Sequence, residues 1–366
     1  MKSENYILIT VLDSISETSM PLNEFVIYRQ EHYQSSKQII IICDKEGEST
    51  VQIPSNIECI YVNRNTKYMN KVMNDILAQY QYNIIVHLHQ LRSAILFYKA
   101  TFRIRRKLKI VFTVHSTFQM RSIKYKLSSM LCALLSNVTI CVSNSSYYYY
   151  SNIIKKIKKE KIYVIQNGVD TERIDNIVLN LGEKQANEIP LIVNVGRIIP
   201  LKNQQLLVKI FPKLNKCKVV LVGSENDNYQ VQKMILDLGL QDKIIITGLI
   251  PRKDVFLLLK QADLFISTSK IEGLPISVLE AMYVGLPVIL SDILPHQEIF
   301  NDQDNNDLLP LNDEILWINK INMYLSLTKQ EMLKRGQQNK QIALKYFSLK
   351  VMHEEYNKLY LKLIKK

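Results

Sequence analysis

Two glutamates stand eight positions apart in an otherwise apolar stretch of the chain, KIEGLPISVLEAMYVGLPV at residues 270–288. A carboxylate among apolar side chains costs free energy unless a partner or a ligand completes it. An ionised carboxylate accepts hydrogen bonds from neighbouring hydroxyl groups, such as those of a sugar or a ribose. Glu272 and Glu280 are therefore candidates for binding a hydroxylated ligand.

Two cations follow another apolar stretch, LIVNVGRIIPLKNQQ at residues 191–205. The guanidinium of Arg197 can grip two phosphate oxygens, while the ammonium of Lys202 acts as a compact point charge. A helix that begins after Lys202 would add the positive end of its dipole. Taken alone, the pair is compatible with an ordinary surface, but beside the two glutamates it indicates a diphosphate site.

Short apolar runs rich in β-branched residues alternate with helical patterns along most of the chain. This alternation predicts an α/β fold in which parallel strands are covered on both faces. Glu272 is expected in the loop after the strand DLFISTS, and Glu280 in the first or second turn of the next helix. That helix is predicted to begin near Pro275 or Ser277, with Ser277 able to cap it.

The alternation pauses over residues 168–190, which are polar and end in a proline. We predict a first α/β domain at residues 1–168, a connection at 169–190 and a second α/β domain at 191–347. A C-terminal helix at about 348–366 could pack back on the first domain. Ligands of such domains bind at the carboxyl ends of the strands or between domains.

Arg197 and Lys202, followed by the Glu-x7-Glu pattern of Glu272 and Glu280 in EGLPISVLEAMYVGLPVILSD, resemble the donor-binding signature of family 4 glycosyltransferases. The resemblance covers most of residues 162–300, through VIQNGVD, LVGSEN, IITGLIPRKDV and QADLFISTS. It is thinner in the first half, through IIVHLHQ, FTVHSTF and ICVSNS. It implies a retaining hexosyl- or related glycosyltransferase of the EC 2.4 class. The implied GT-B fold has two Rossmann-like domains with parallel sheets facing across an interdomain cleft.

The resemblance also implies roles for individual residues. Arg197 and Lys202 would hold the diphosphate of a nucleotide sugar, and Glu280 would bind the ribose hydroxyls. Glu272 would contact the transferred sugar near its reacting carbon. The segment from Gly248 to Ile250 would border the base, and main-chain groups of Gly273 and Leu274 would contact the sugar. The implied donor-binding positions besides the four charged residues are Gly196, Gly248, Ile250, Gly273 and Leu274.

Three histidines lie at predicted strand ends of the first half. A histidine at such a place is compatible with a structural or a catalytic role, and the resemblance implies that His115 faces the donor sugar and acceptor. His87 and His89 form an HxH pattern that could suggest a metal, yet no carboxylate or cysteine nearby completes a ligand set. A structural or acceptor-side role is therefore favoured for them. The resemblance implies neither a metal nor a cofactor, because cations and a helix end neutralise the diphosphate of the co-substrate.

The positive charge is concentrated in one region. Residues 92–161 contain 15 Lys and Arg and one acid, a sum of +14, while the whole chain carries +13. A solvated surface, anionic lipid head groups and nucleic acid are the alternatives. Lipid is favoured because basic residues are attracted to anionic leaflets and no recognised nucleic-acid module is present. The residues predicted to face a membrane are Arg103, Arg105, Arg106, Lys107 and Lys109.

The chain has no apolar run of about 18 residues that would span a bilayer, and its N-terminus lacks the pattern of a signal peptide. Its five cysteines stand singly, which is typical of free thiols in a reducing compartment. We expect a cytoplasmic protein of bacterial type, peripheral on the inner face of the cell membrane.

The predicted reaction moves a sugar from a UDP- or GDP-linked donor to a lipid-linked saccharide in capsule, exopolysaccharide or lipopolysaccharide assembly. A sugar-nucleotide epimerase or hydrolase on the same fold is an alternative, as is a non-catalytic basic binding protein. One departure from the family pattern is the loop at residues 13–25, which contains no glycine. The sugar, the acceptor, the linkage and the oligomeric state stay open at this point.

Overall fold

The computed structural model describes residues 6–14, 20–33, 36–45, 55, 57–80, 83–115, 118–119, 121–179, 187–225, 230–300 and 307–365. The chain divides into two compact units. The first unit comprises Met1–Asn167 together with Leu349–Lys366, and the second comprises Gly168–Ser348. Each is built on one parallel sheet, and most of the described strand residues are buried.

The first unit contains a seven-stranded parallel sheet with the strand order β3-β2-β1-β4-β5-β6-β7. The order reverses direction between β1 and β4, so the edge at their carboxyl ends is the switch point of a doubly wound sheet. The strands are β1 (Tyr6–Leu12), β2 (Ser36–Ile42), β3 (Glu58–Tyr61), β4 (Asn83–Leu88), β5 (Lys109–Val114), β6 (Val138–Cys141) and β7 (Ile162–Val164).

Helices cover both faces of this sheet. Alternate residues of β1 enter different cores: Ile9 belongs to the core formed with the middle helices, and Leu8 to the core formed with the C-terminal helix. This alternation follows from the two-residue period of a strand. The helices are α1 (Met20–His32), α2 (Thr66–Gln79), α3 (Leu91–Thr101), α4 (Ile123–Leu135), α5 (Asn144–Tyr148), α6 (Asn152–Ile157) and the C-terminal α15 (Leu349–Ile364).

The second unit contains a six-stranded parallel sheet with the order β10-β9-β8-β11-β12-β13. This is the same winding as in the first unit, with the switch point between β8 and β11. The strands are β8 (Leu191–Val195), β9 (Lys218–Val222), β10 (Ile244–Ile246), β11 (Leu264–Ser267), β12 (Val288–Ser291) and β13 (Leu308–Leu309).

The helices of the second unit pack on both faces of its sheet and begin or end at recognisable signals. Thr328 and Glu331 form a capping box at the start of the longest helix, which satisfies two backbone N–H groups. Gly285 ends another helix in the left-handed conformation, with φ of 94°. The helices are α7 (Thr171–Leu179), α8 (Gln204–Ile210), α9 (Gln230–Asp237), α10 (Arg252–Gln261), α11 (Ile276–Val284), α12 (Leu294–Gln297), α13 (Glu314–Leu325) and α14 (Lys329–Phe347).

The segment predicted as a polar connection, residues 169–190, contains more structure than expected. Its first half forms α7, and Ile174 on that helix is buried in the core of the second unit. The helix was missed because its apolar face is short and the whole segment is dominated by polar residues. The two-residue strand β13 was also not predicted. Residues 180–186 lie outside the described part of the chain.

Candidate active site at the strand ends of the second unit

The carboxyl ends of β8 and β11 lie side by side at the switch point of the second sheet. β8 is followed by Gly196 and Arg197, and β11 is followed by the segment that leads to Glu272. The open crevice outside such a pair of strand ends is where doubly wound sheets bind ligands. The sheet topology therefore places the predicted cationic and acidic segments together at one edge.

Lys202 and Glu272 form an ion pair at this edge. Lys202 Nζ lies 2.5 Å from Glu272 Oε1, and Ser269 Oγ donates a hydrogen bond of 2.7 Å to the same oxygen. The lysine side chain runs past Gly196, where a Cβ atom would lie 3.5 Å from Lys202 Cε. Burial raises the pKa of Glu272, but the adjacent ammonium and the hydrogen bonds outweigh it and hold that pKa below its usual value. Glu272 is therefore an ionised acceptor at neutral pH.

The two loops that carry this pair are fastened to each other. Thr268 Oγ1 donates to the backbone oxygen of Asn203 at 2.9 Å, and the backbone N–H of Lys270 donates to Leu201 O at 2.8 Å. The buried amide of Gln204 donates to Arg197 O at 3.1 Å. These bonds fix the backbone on both sides of the ion pair, which preorganises its position.

His296 was not singled out in the sequence, yet its charge state is coupled to the site. The ring is buried, and His296 Nδ1 donates to Ser291 O at 2.7 Å. Burial lowers the pKa of His296 to about 4, against the opposing effect of the Glu272 charge. A neutral ring with Nδ1 protonated has an acceptor at Nε2, which has no partner among the described residues. The sequence does not show that this histidine is close to Glu272, because it lies 24 positions later, on the short helix α12.

Glu280 is paired with a residue that the sequence analysis did not identify. It lies in the second turn of α11, and its side chain is only 3% exposed. Its carboxylate accepts a hydrogen bond from the guanidinium of Arg252, the first residue of α10. Pro275 precedes the helix and no side chain caps it, so the expected cap by Ser277 is wrong.

Arg197 is exposed and follows directly after Gly196. Within the described part of the chain, the guanidinium of Arg197 has no hydrogen-bond or ion-pair partner. The structure thus joins Lys202 to Glu272 and Glu280 to Arg252, while Arg197 contacts neither carboxylate. Of the two predicted cations, Lys202 is the one that contacts a predicted acid among the described residues.

Three glycines bring strand ends of the second sheet into close contact. Gly223 has a φ of 143°, and a Cβ atom there would lie 2.2 Å from Gly196 O. The N–H of Gly223 donates to Gly248 O at 3.0 Å. Gly223 was not predicted, and it explains how backbone can line this edge. Ile250 and Gly273, two further predicted donor-binding residues, are half-buried. The side chain of Leu274 is buried in the core of the second unit.

His87, His89 and His115 lie together near the switch point of the first sheet, with His87 and His89 buried and His115 half-buried. His115 follows β5, and its Nε2 lies 3.3 Å from His89 Nδ1 just past β4. Burial lowers the pKa of His115 to about 4, so the ring is neutral near pH 7. His87 bonds Tyr360 Oη at 2.6 Å and Thr113 Oγ1 at 2.7 Å, which is a structural role. In the described ranges, no group of three or more potential ligands is placed to hold a metal.

Two family models match the chain. The description "Glycosyl transferases group 1" applies to residues 182–342, and "Glycosyltransferase Family 4" applies to residues 41–173. The chain is a GT-B glycosyltransferase of the family 4 type. The first match contains the Lys202–Glu272 pair, and the second contains the His89–His115 contact.

Three known proteins are similar to this glycosyltransferase. A UDP-Gal:alpha-D-GlcNAc-diphosphoundecaprenol alpha-1,3-galactosyltransferase of Escherichia coli is 28% identical over 86% of the chain and 85% of its own length. A GDP-mannose:cellobiosyl-diphosphopolyprenol alpha-mannosyltransferase of Xanthomonas campestris is 31% identical over 38% of the chain and 37% of its own length. The crystal structure of an Anabaena protein with UDP and glucose has a TM-score of 0.74 and 16% identity, covering 97% and 99% of the two chains.

The basic residues predicted to face a membrane lie at the opposite edge of the first sheet from His115. A 3₁₀ turn at Arg105–Lys107 leads into β5, which begins at Lys109 and ends just before His115. Arg106 and Lys107 are exposed, and the Arg105 guanidinium lies over the Phe102 ring at 4.3 Å.

Two further expectations concern the membrane and the first loop. Within the described ranges, every helix of the glycosyltransferase is too short or too polar to traverse a bilayer. Most of the glycine-free loop at residues 13–25 lies outside the part whose side chains the structure describes. Asp13 at its start is described, and its backbone N–H donates to the Gln90 side chain at 2.5 Å.

Proposed function

We propose that this glycosyltransferase moves a sugar from a nucleotide-diphosphate sugar to a hydroxyl of a lipid-linked saccharide, with retention of the anomeric configuration. The observation that carries the proposal is the Lys202–Glu272 pair at the switch point of the second sheet. A fixed cation and a fixed, ionised acceptor at 2.5 Å match the adjoining phosphate and hydroxyl groups of an activated sugar. Names of similar proteins support a nucleotide-sugar donor.

In the proposed donor complex, Lys202 and the exposed Arg197 hold the diphosphate, and Glu272 accepts from hydroxyls of the transferred sugar. Glu280 binds the ribose, with its carboxylate oriented by Arg252. Main-chain groups of Gly273 and Leu274 contact the sugar. Two further positions are Gly196 beside the diphosphate and the segment from Gly248 to Ile250 beside the base.

The proposed reaction is a same-face displacement. The bond between the anomeric carbon and the diphosphate oxygen breaks, and the bond to the acceptor oxygen forms on the same face. The departing diphosphate takes the proton of the acceptor hydroxyl, so no protein nucleophile is needed. Lys202 and Arg197 stabilise the charge that develops on the diphosphate, which is electrostatic catalysis by a preorganised site. His115, neutral by virtue of its burial, is proposed to contact the donor sugar or the acceptor.

The proposed acceptor is a saccharide carried on a polyprenyl diphosphate, in the assembly of a capsule, an exopolysaccharide or a lipopolysaccharide. Two similar proteins are named for acceptors of this class. The basic surface of the first unit supports a peripheral place on the anionic inner leaflet. Its charge of +14 over residues 92–161 attracts such a surface. No resident metal or cofactor is proposed, since the two cations serve the diphosphate.

Thermal denaturation with a panel of UDP-, GDP- and ADP-sugars tests the donor. A ligand that binds the native state raises the melting temperature, and we expect one nucleotide series to do so with the wild type and not with Lys202→Ala. Incubation with a polyprenyl-diphosphate saccharide then tests the reaction by NMR of the anomeric proton. A product with inverted configuration, or a donor that is only isomerised or hydrolysed, would refute the proposed transfer.

A further inference from the structure

The helix α4 exposes an apolar stripe to solvent. Ile123 is 76% exposed, Leu127 59%, Leu131 56% and Leu134 42%. Their spacing of four, four and three residues puts them on one side of the helix. The other side is also apolar where it meets the core, through Cys132 and Ala133. A contiguous apolar surface of this kind marks a binding surface for a protein or a membrane.

The short helix α6 extends this surface. It packs beside α4 and carries Ile153 and Ile157, which are 63% and 62% exposed. The backbone of α4 is held in place, because Tyr150 Oη donates to Ser129 O at 3.1 Å. The Lys158 ammonium donates to Ser136 O at the end of α4. The exposed stripe is therefore a fixed feature of the first unit. We call the residues Ile123, Leu127, Leu131, Leu134, Ile153 and Ile157 the α4–α6 face.

The charges around the α4–α6 face identify its partner. The sequence from residue 92 to residue 159 contains Lys and Arg but no Asp or Glu. The basic residues next to the face in sequence include Arg121, Lys124, Lys155 and Lys156. A protein partner of ordinary composition carries charges of both signs and would not match a uniformly basic surface. An anionic bilayer matches both features, because its head groups attract the basic residues and its acyl chains accept the leucine side chains.

We propose that the α4–α6 face inserts into one leaflet of an anionic bilayer, with α4 lying in the plane of the membrane. The 13 residues of α4 extend about 20 Å, which is too short to span and suits an interfacial helix. The inference rests on the proposed function in one respect, the lipid-linked acceptor. α4 begins eight residues after His115, on the side of the sheet where β5 ends. Insertion brings that strand-end edge close to the leaflet in which a lipid-linked acceptor resides.

Insertion is tested by a fluorescent probe at the face. The chain has one tryptophan, Trp317, which is fully buried and gives a constant background. The variant Leu131→Trp is compared with Leu236→Trp, a position 53% exposed on α9 of the other unit. Vesicles of phosphatidylcholine with phosphatidylglycerol should shift the emission of Leu131→Trp to the blue, and lipids brominated on the acyl chain should quench it. Leu236→Trp should show neither effect.

A second experiment separates insertion from charge attraction. High salt shortens the screening length to about 3 Å at 1 M, so binding that persists there depends on apolar contact. We expect Leu127→Gln/Leu131→Gln to lower vesicle partitioning in high salt roughly tenfold or more. The matched control Leu236→Gln/Leu238→Gln removes two exposed leucines from the other unit and should bind like the wild type. Melting temperatures of all variants confirm that they are folded.

Three results would overturn the proposal. Emission of Leu131→Trp that is unchanged by vesicles shows that the face stays in water. Equal partitioning of the two double variants shows that charge alone binds the protein. A wild-type dimer in light scattering that becomes a monomer in Leu127→Gln/Leu131→Gln shows that a second copy covers the face. These vesicles contain neither donor nor acceptor, so insertion can be observed even if the proposed sugar transfer fails.

Discussion

Lys202 Nζ lies 2.5 Å from Glu272 Oε1, at the point where the second sheet reverses its strand order. The same lysine is proposed to hold the donor diphosphate, so its charge has two partners. Without donor it keeps the buried carboxylate ionised, and with donor it is shared with the phosphate oxygens. The pair therefore links the stability of the second unit to its binding chemistry.

Removing the lysine should destabilise the protein in a pH-dependent way. Lys202→Met leaves Glu272 buried without its cation, which should lower the free energy of unfolding by about 3 kcal/mol at pH 7. The pKa of Glu272 is lower in the folded protein than in the unfolded chain, so its ionised form stabilises the fold at pH values above the unfolded pKa. This contribution is lost as the pH falls through the folded pKa. The difference between wild type and variant should accordingly shrink toward acid pH. Urea denaturation at neutral and acid pH measures both quantities.

The control for this prediction is the double variant Lys202→Met/Glu272→Gln, which removes the uncompensated charge. It should recover part of the lost stability at neutral pH, because no ionised group is left buried. A difference between wild type and Lys202→Met that stays constant with pH would contradict the assigned pairing.

Glu280→Gln tests the proposed ribose contact. The amide keeps the size of the side chain but weakens hydrogen bonds from hydroxyl groups, because a charged acceptor binds them more strongly. We expect the affinity for UDP to fall roughly tenfold, while the affinity for 2′-deoxy-UDP changes little. If GDP proves to be the donor nucleotide, the comparison is made with 2′-deoxy-GDP. Isothermal titration measures each affinity.

A matched control for Glu280→Gln exists in the same unit. Glu314 forms an exposed ion pair of 2.5 Å with Lys209, and Glu314→Gln should leave nucleotide affinity unchanged. If Glu280→Gln loses the same affinity for the ribo- and the deoxyribonucleotide, Glu280 does not contact the 2′ hydroxyl.

The sheet strands other than the two-residue β13 are predictable from sequence, whereas the ion-pair partners are not. Runs such as KQIIIICD and DLFISTS are recognisable as strands because parallel strands are buried on both faces and are therefore continuously apolar. Glu272 and Glu280 stand out for the opposite reason, as charges in the otherwise apolar stretch that follows a strand. Arg252, by contrast, lies 28 positions before Glu280, and only the packing of α10 beside α11 brings the two together. No local sequence pattern predicts a contact between residues that are 28 positions apart.

The apolar stripe of α4 illustrates a different limit. A helix with apolar residues on all sides has the pattern of a buried helix, so its sequence does not show which side is left exposed. The fold leaves one side of α4 uncovered, and that is visible only when its neighbours are in place. The charge of residues 92–161 marks a region of the chain, and the proposed α4–α6 face lies within that region.

Gly336→Ala should disturb the packing between α11 and α14. A Cβ atom at Gly336 would lie 1.9 Å from Gly285 O, which is backbone and cannot rotate away. The helices must separate, and we expect the free energy of unfolding to fall by about 1–3 kcal/mol. Gln337→Ala, on the exposed side of the same helix, should change it little. Equal stability of the two variants in urea denaturation would show that the close approach of the helices is not needed.

Acid should unfold the protein through its buried histidines. Burial lowers the pKa of His87, His89, His115, His296 and His353 below the ordinary value of 6.5. Between 6.5 and the lower folded values, the unfolded chain binds more protons than the native one, so stability falls as pH falls. Each such histidine contributes a slope of about 1.4 kcal/mol per pH unit. Denaturation midpoints measured from pH 7 downward should therefore decline steeply.

His353→Phe isolates one of these contributions. The ring stacks on Phe25 at 4.7 Å and on Tyr28 at 4.9 Å between centroids, and neither ring nitrogen has a hydrogen-bond partner among the described residues. Phenylalanine can occupy this place without leaving a polar group unpaired, so stability at pH 7 should be equal or higher. Because one protonation is removed, the decline with acid should be shallower by the slope of one histidine. A variant with the full acid sensitivity of the wild type would show that His353 is already free to protonate in the native state.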